Sequence, residues 1–178
     1  MVVPLLKDPN PRVKWAACNC IGQMSTDFSP LLQTKYVSLI LPSLIETMND
    51  SNIPRVRTHA AAALVNFSQE SDRVSITPYL EPLFNQLLNM LSQGTPSMQK
   101  QAITSIATVA DSAEDEFVQY YPTIMPILLQ ALQNADGDEH KLLRGKIMEC
   151  ASLIALTVGK DVFEPHREIF MNLLKIRQ

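Results

Sequence analysis

Apolar residues recur along this chain three and four positions apart, a spacing that places them on one face of a helix. Four segments carry the pattern, and in the first three the second apolar position is alanine, which lets a neighbouring helix approach closely. We call the four predicted helices the B helices. Their apolar positions are Val13, Ala17, Ile21 and Met24; Val56, Ala60, Leu64 and Phe67; Met98, Ala102, Ile106 and Val109; and Leu143, Ile147, Ala151 and Ile154.

The B helices share a start signal and a spacing. Pro11 and Pro54, which precede the first two, are 43 residues apart, and Pro96 follows 42 residues later. Proline at the first helical position costs no hydrogen bond, and Asn10 or Thr95 before it can cap the helix. The repeat of about 42–45 residues lies in the range typical of HEAT and armadillo repeats.

A second set of predicted helices, the A helices, lies between the B helices. They cover Thr34–Met48, Pro78–Leu91 and Phe117–Gln133, with a remnant at Val2–Lys7 and a further start near Phe163. Proline inside a helix removes a hydrogen bond and kinks it, so prolines that recur in these helices predict bent A helices. These prolines are Pro4, Pro42, Pro82 and Pro126.

The alternating helices predict an all-α fold, an α-α superhelix (solenoid) of about four HEAT repeats. A single repeat cannot bury its apolar face alone, and the array begins and ends inside A helices. We therefore expect a fragment of a longer solenoid, with both ends truncated within repeats, exposed apolar surface and concentration-dependent self-association. The expected repeats of this 1–178 array are 1–26, 30–70, 77–111 and 115–158, with a partial one at 161–178.

Charge and composition exclude several functions. The net charge is −3, from 15 basic and 18 acidic residues that are well mixed, so no basic patch for direct nucleic-acid binding is expected. No apolar run approaches the roughly 20 residues that cross a bilayer, and no secretory leader is visible, so no membrane insertion is expected. The three cysteines indicate reduced residues of an intracellular protein: Cys18, Cys20 and Cys150.

No catalytic or cofactor site is visible in the sequence. The histidines are far apart and lack metal-ligand spacing with the cysteines. Gly159-Lys160 lacks the upstream glycine of a phosphate-binding loop. Serine and cysteine residues lie on predicted core helices without a base and an orienting acid. We therefore expect no enzyme, no metal and no cofactor.

Four segments carry a resemblance that goes beyond the period: DPNPRVKWAACNCIGQM at 8–24, HAAAALVNF at 59–67, TSIATVAD at 104–111 and LLRGK at 142–146. They resemble the importin-β (karyopherin-β) nuclear transport receptors, and among these the karyopherin beta-3 (importin five) subtype. The resemblance covers essentially the whole chain in order, with one apparent shortening near Leu91–Pro96.

The resemblance implies a receptor that binds cargo proteins with nuclear localisation signals and releases them when Ran GTPase binds in its GTP form. It also implies weak binding of Phe-Gly nucleoporins, usually in grooves between A helices, and shuttling between cytoplasm and nucleus. The main Ran site is expected outside this chain. HEAT repeats also build other scaffolds, so the alternative is a subunit of the phosphatase-regulatory or chromosome-organising type.

Candidate protein-binding residues lie on the B helices, opposite their apolar faces. Trp15 and Asn19 are one turn apart and can hold an extended peptide, with the amide pairing to its backbone. The alternative is that Trp15 packs against a preceding repeat. The corresponding stripe continues at Lys100, Thr104 and Glu149; it is mixed and weakly charged, and does not predict an acidic trough for basic signals.

A second set of residues is expected to be structural. Arg12, Arg55 and Arg144 lie near the starts of the B helices. The HEAT resemblance implies that a basic residue here pairs with an acid in a neighbouring loop, and Asp8 and Asp50 are the expected partners. These five residues are predicted to form a ladder between repeats rather than to bind a ligand.

Overall fold

The computed structural model describes residues 2–50 and 53–177, and every regular element in these ranges is a helix. The helices are α1 (Pro11–Asp27), α2 (Leu31–Met48), α3 (Pro54–Gln69), α4 (Arg73–Ile76), α5 (Leu80–Gln93), α6 (Pro96–Ala113), α7 (Tyr121–Asn134), α8 (Lys141–Val158) and α9 (Lys160–Arg177). Short 3-10 segments cover Val3–Lys7, Thr77–Tyr79, Glu114–Gln119 and Asp138–His140. Two compact units divide the chain, one up to Ala113 and one from Glu114.

The predicted starts of the B helices are confirmed. Pro11, Pro54 and Pro96 are the first residues of α1, α3 and α6. Asn10 caps α1, because its Oδ1 accepts a hydrogen bond of 3.0 Å from the amide of Arg12. Proline removes only an amide that would have no partner in the first turn, so each of these helices begins at a proline without losing a hydrogen bond.

The predicted apolar faces of the B helices form most of the core. All the positions in the pattern are buried except Val13, Met24 and Leu143, which are half-buried. The 3.6-residue period alone therefore identified the buried side of four helices.

Small residues bring the B helices of the first unit into a close-packed row. Helix α3 lies between α1 and α6 and packs against both, while α2 packs on α3 and α5 on α6. Gly22 is buried in α1, and a Cβ built on it lies 3.3 Å from Asn66 Nδ2 and 3.4 Å from Ala63 Cα. The row is close enough that side chains of one helix reach the backbone of the next.

Three side chains donate hydrogen bonds to backbone carbonyls of the neighbouring B helix, and each bond joins residues 44 apart, about one repeat. A helical carbonyl keeps a second lone pair after its own helix bond, so it can accept a further donor. The bonds run from Asn66 Nδ2 to the Gly22 carbonyl (3.3 Å), from Ser105 Oγ to the Ala61 carbonyl (3.1 Å) and from Ser112 Oγ to the Ser68 carbonyl (2.6 Å).

The basic ladder differs from the one expected. Asp50 Oδ2 pairs with Lys14 Nζ at 2.6 Å, and Asp8 Oδ1 accepts from the amide of Asn10 at 2.7 Å. Arg12 is exposed, as is Arg55. They lie one position before the first core residue of their helices and so point away from the A helices.

The residue one position after the first core residue makes the contact that recurs between repeats instead. In the second, third and fourth repeats it donates to a carbonyl at the end of the preceding A helix, which has no partner inside that helix; in the first repeat Lys14 pairs with Asp50 instead. The bonds are Arg57 Nε to the Met48 carbonyl (2.6 Å), Gln99 Nε2 to the Leu91 carbonyl (2.9 Å) and Arg144 Nη1 to the Ala135 carbonyl (3.3 Å). Of the predicted arginines, Arg144 alone occupies this position.

The A helices depart from the prediction at two prolines. Pro42 and Pro126 lie inside α2 and α7, as expected. Pro82 does not lie in a helix interior, because α5 begins at Leu80 and puts this proline in the first turn. Pro4 lies in the 3-10 segment Val3–Lys7. A missing amide is tolerated in a first turn, so Pro82 marks a helix start.

In the second unit, α8 packs against α7 and α9. Gly159 joins α8 to α9 with φ of 79°, a left-handed conformation that glycine adopts without strain. Buried Tyr121 bonds through its hydroxyl to His166 Nδ1 at 2.8 Å, and the two rings meet edge to face. Burial raises the pKa of Tyr121 to about 12, so the phenol stays protonated.

None of the helices in the described ranges is both long and apolar enough to span a membrane.

Candidate functional site

Trp15 of α1 packs against the next B helix. Its ring centroid lies 5.0 Å from that of His59, and the guanidinium carbon of Arg55 lies 5.3 Å from the centre of the indole. Both partners belong to α3, so Trp15 has neighbours on the following repeat. The indole is half-buried, and its Nε1 is buried without a hydrogen-bond partner among the described residues.

Beside Trp15 lies a cleft between the N-terminal ends of α1 and α3. Its volume is about 500 Å³. Two arginines, Arg12 and Arg55, stand among lining residues that are otherwise apolar. The lining is formed by Pro11, Arg12, Trp15, Ala16, Ile53, Arg55 and Val56. The sequence pattern singled out Trp15 but not the cleft, because Ile53 and Arg55 come from the next repeat.

Asn19 begins an exposed polar stripe along α1. Gln23 and Asp27 follow at four-residue intervals and are also exposed, so the three share one helix face. Gln23 Nε2 donates to Asp27 Oδ1 at 3.1 Å. The stripe offers amide donors and acceptors together with one carboxylate. Sequence reasoning stopped at Asn19 and missed the other two, although their spacing signalled them.

The other predicted binding residues lie on other B helices. Lys100 and Thr104 are half-buried on α6, with α3 between that helix and α1. Thr104 Oγ1 bonds to the Lys100 carbonyl at 3.2 Å, which leaves the hydroxyl as an acceptor for a ligand. Glu149 is exposed on α8 in the second unit and pairs with Lys146 Nζ at 2.8 Å. The structure therefore places Trp15 and Asn19 on α1, Lys100 and Thr104 on α6 of the same unit, and Glu149 on α8 of the second unit.

An apolar groove lies on the A-helix side of the first unit. It has a volume of about 450 Å³ and combines side chains of Val3–Lys7, α1 and α2. Tyr36 and Leu39 are exposed at the groove although they are large apolar residues. The full lining is Val2, Val3, Ile21, Met24, Leu32, Tyr36, Leu39 and Ile40.

The described residues show little reactive chemistry near these surfaces. Burial raises the pKa of the Cys18 thiol to about 12, so it is not a nucleophile at neutral pH. No group of three or more His, Cys, Asp and Glu side chains comes together in the described ranges to hold a metal ion. The candidate binding surfaces of the first unit are therefore the cleft beside Trp15, the apolar groove and the polar stripe.

Comparison with known proteins defines the class. The family model described as "Importin subunit beta-1-like, TPR repeats" matches residues 18–178, and a HEAT repeat model matches residues 1–28. The chain therefore belongs to the importin subunit beta-1-like family. The predicted family resemblance and the predicted HEAT-repeat fold are confirmed, and the match does not support a phosphatase-regulatory or chromosome-organising scaffold.

Particular relatives narrow the assignment. Importin subunit beta-3 of Saccharomyces cerevisiae is 44% identical over 174 residues, which are 98% of this chain and 16% of that protein. The crystal structure of Kap121p bound to Pho4p matches with a TM-score of 0.92 at 44% identity, covering 97% of this chain and 16% of that one. Kap121p bound to Nup53p matches with a TM-score of 0.90 and the same identity and coverage. The chain thus spans 16% of the length of these relatives.

Proposed function

We propose that this chain is a protein-binding segment of a nuclear import receptor, which carries cargo proteins through the nuclear pore under the control of Ran GTPase. The similarity to importin subunit beta-3 over 98% of the chain is the observation that carries the proposal. In this role the segment is not an enzyme and needs no cofactor. The receptor shuttles between cytoplasm and nucleus, and its main Ran site lies outside this segment.

The polar stripe of α1 receives an extended segment of cargo. Asn19 pairs with the peptide backbone through its amide, which both donates and accepts. Asp27 attracts a basic side chain of a nuclear localisation signal, because its partner Gln23 is neutral and leaves the charge of the carboxylate uncompensated. Trp15 borders the stripe, Lys100 and Thr104 add a second contact surface on α6, and Glu149 adds a separate one on the second unit.

The apolar groove on the A-helix side suits a Phe-Gly nucleoporin. A phenylalanine ring fits within a volume of about 450 Å³, and exposed Tyr36 and Leu39 offer it apolar contacts. The crystal structure of the relative Kap121p bound to Nup53p supports a nucleoporin partner for this family. Binding of one small side chain per groove is weak, which suits rapid passage.

A peptide titration tests the cargo surface. A fluorescein-labelled peptide with several lysines binds the chain saturably in an anisotropy assay. Asp27→Asn weakens binding by about tenfold, as expected for the loss of one charge-assisted hydrogen bond. Glu81→Gln is the matched control, since it removes an exposed carboxylate on α5, away from the stripe, and leaves affinity unchanged. Equal affinities of the two variants would refute the placement of cargo on α1.

A second titration tests the pore partner. A Phe-Gly repeat peptide followed by NMR shifts signals of Tyr36 and Leu39, whereas a Ser-Gly peptide of equal length shifts none. Shifts confined to other surfaces, or equal shifts with both peptides, would contradict the assignment of the groove.

A further inference from the structure

The cleft beside Trp15 is left without a role by the cargo stripe and the nucleoporin groove. It opens between the first turns of α1 and α3, and most of its lining is apolar. Its volume of about 500 Å³ exceeds that of a single aliphatic side chain, so a side chain and part of its backbone fit inside. The cleft therefore suits a peptide segment better than a small ion.

The buried Nε1 of Trp15 points to the polar chemistry of the occupant. This atom has no partner among the described residues, and an indole nitrogen can only donate. Buried donors are nearly always paired in folded proteins, so a small shift of the indole that brings this donor to an acceptor in the cleft is favourable. A peptide carbonyl oxygen supplies such an acceptor.

The charges around the cleft select a negative partner. Among the described residues that line it, the ionised side chains are Arg12 and Arg55, both positive, and none is a carboxylate. Arg55 lies over the ring of Trp15 at 5.3 Å, an arrangement that leaves the edge of the guanidinium free to take a carboxylate. Lys14 nearby on α1 is already paired with Asp50 at 2.6 Å.

The helix ends add to this positive potential. The cleft lies at the N-termini of α1 and α3, and Ile53, the N-cap of α3, provides no side-chain hydrogen bond. Amides in a first turn carry partial positive charge, so both helices favour acidic groups here. His59, which contacts the indole, adds no negative charge.

We propose that this cleft binds a linear acidic peptide, in which an aliphatic side chain is flanked by carboxylates. The aliphatic side chain enters among Trp15, Ile53 and Val56. A backbone carbonyl of the peptide accepts a hydrogen bond from Trp15 Nε1, and the flanking carboxylates pair with Arg12 and Arg55. This partner is opposite in charge to a nuclear localisation signal, so the site does not rest on the proposed cargo function.

Trp15 itself provides the assay, because it is the one tryptophan in the sequence. A capped peptide with a central leucine between pairs of glutamates is titrated while indole emission is recorded. We expect a saturable change that weakens as salt is added. Arg55→Gln and Arg12→Gln each weaken binding by about tenfold or more, because each removes a charge-assisted bond. Lys35→Gln, an exposed charge on α2, is the matched control and leaves affinity unchanged.

Two peptide controls make the result specific. A version with alanine for leucine tests the apolar cleft, and a version with lysine for each glutamate tests the charge; we expect both to bind at least tenfold more weakly. Trp15→Phe keeps an aromatic ring but removes the indole N–H donor, and we expect calorimetry to show weaker binding. Circular dichroism confirms that each variant is folded.

Three outcomes would overturn the proposal: no saturable change at millimolar peptide, equal binding of the lysine version, or unchanged affinity in both arginine variants. Binding of a basic peptide at the Asn19 stripe alongside any of these would leave the cargo proposal standing. If the acidic peptide binds and the basic peptide does not, the cleft proposal stands and the cargo proposal fails.

Discussion

Replacement of Arg57 by methionine tests how much one buried guanidinium, which joins three helices by hydrogen bonds, contributes to the free energy of unfolding. Arg57 lies on α3 with 9% of its surface exposed. Its Nε donates to the carbonyl of Met48, the last residue of α2, at 2.6 Å, and its Nη2 donates to Asn89 Oδ1 on α5 at 2.9 Å. Methionine keeps most of the aliphatic stem and removes both donors.

The expected loss follows from these two bonds. A hydrogen bond from a charged donor contributes about 1.5–3 kcal/mol net, which gives a gross loss of about 3–6 kcal/mol. The variant also no longer buries a charge, and Asn89 is exposed, so water replaces that partner. These two effects offset much of the gross loss, and what remains is chiefly the cost of leaving the Met48 carbonyl buried without its guanidinium donor, about 1–3 kcal/mol. We therefore expect destabilisation by about 2–3 kcal/mol.

Urea unfolding followed by tryptophan emission measures this loss in the correct unit, since Trp15 and Arg57 both precede Ala113. Arg12→Met is the matched control: it makes the same chemical change at an exposed side chain, and we expect less than about 0.5 kcal/mol. Arg57→Lys retains a single donor group and is expected to fall between the two.

Equal midpoints for Arg57→Met and Arg12→Met, with unchanged slopes, would refute the reasoning. They would mean that the cost of burying the guanidinium cancels the benefit of its bonds. A loss above about 5 kcal/mol would also contradict the estimate and indicate that the contacts of α3 with both neighbours depend on this residue.

Three further predictions address packing, reactivity and the second unit. Gly22→Val forces new methyl groups against α3 and destabilises the first unit by about 1–3 kcal/mol in the same assay, whereas Gly145→Val on α8, where an added Cβ meets nothing within 4 Å, has little effect on the stability of the second unit by circular dichroism. Near pH 8, iodoacetamide labels exposed Cys20 but not Cys18, whose pKa of about 12 keeps the thiol neutral; mass spectrometry measures the labelling, and equal labelling would contradict the burial. The contribution of the neutral Cys18 thiol to stability is complete below the ordinary pKa of 9.0 and falls as pH rises toward 12. Tyr121→Phe loses the 2.8 Å bond to α9 and lowers the thermal stability of the second unit by about 1 kcal/mol by circular dichroism, with no change expected in Trp15 emission.

Local signals in the sequence were sufficient for the helices. Pro11, Pro54 and Pro96 mark helix starts because the first turn needs no amide from them, and the apolar period then identifies the buried faces. Pro82 was misassigned because proline gives the same sequence signal in a first turn and in a kinked interior. The difference depends on where α5 begins, which is set by the packing of Leu80 and its neighbours.

The site was less accessible to sequence reasoning, because it depends on contacts between repeats. Trp15 was correctly placed one turn before Asn19, but its partners Arg55 and His59 come from the next repeat and no spacing reveals them. For the same reason the ladder was assigned to Arg55 instead of Arg57. One position along a helix rotates a side chain by about 100°, which separates an exposed residue from a buried one.

The bonds that join neighbouring B helices determine how the first unit can deform. Ser105 and Ser112 each hold a carbonyl of α3, at 3.1 and 2.6 Å, and Asn66 holds one of α1 at 3.3 Å. Sliding a helix along its neighbour by about 2.5 Å would lengthen all three contacts beyond hydrogen-bond range, whereas a small rotation about them keeps all three. Shear is therefore resisted and hinging is permitted. We therefore expect the row of helices to bend between repeats more easily than its helices slide past one another.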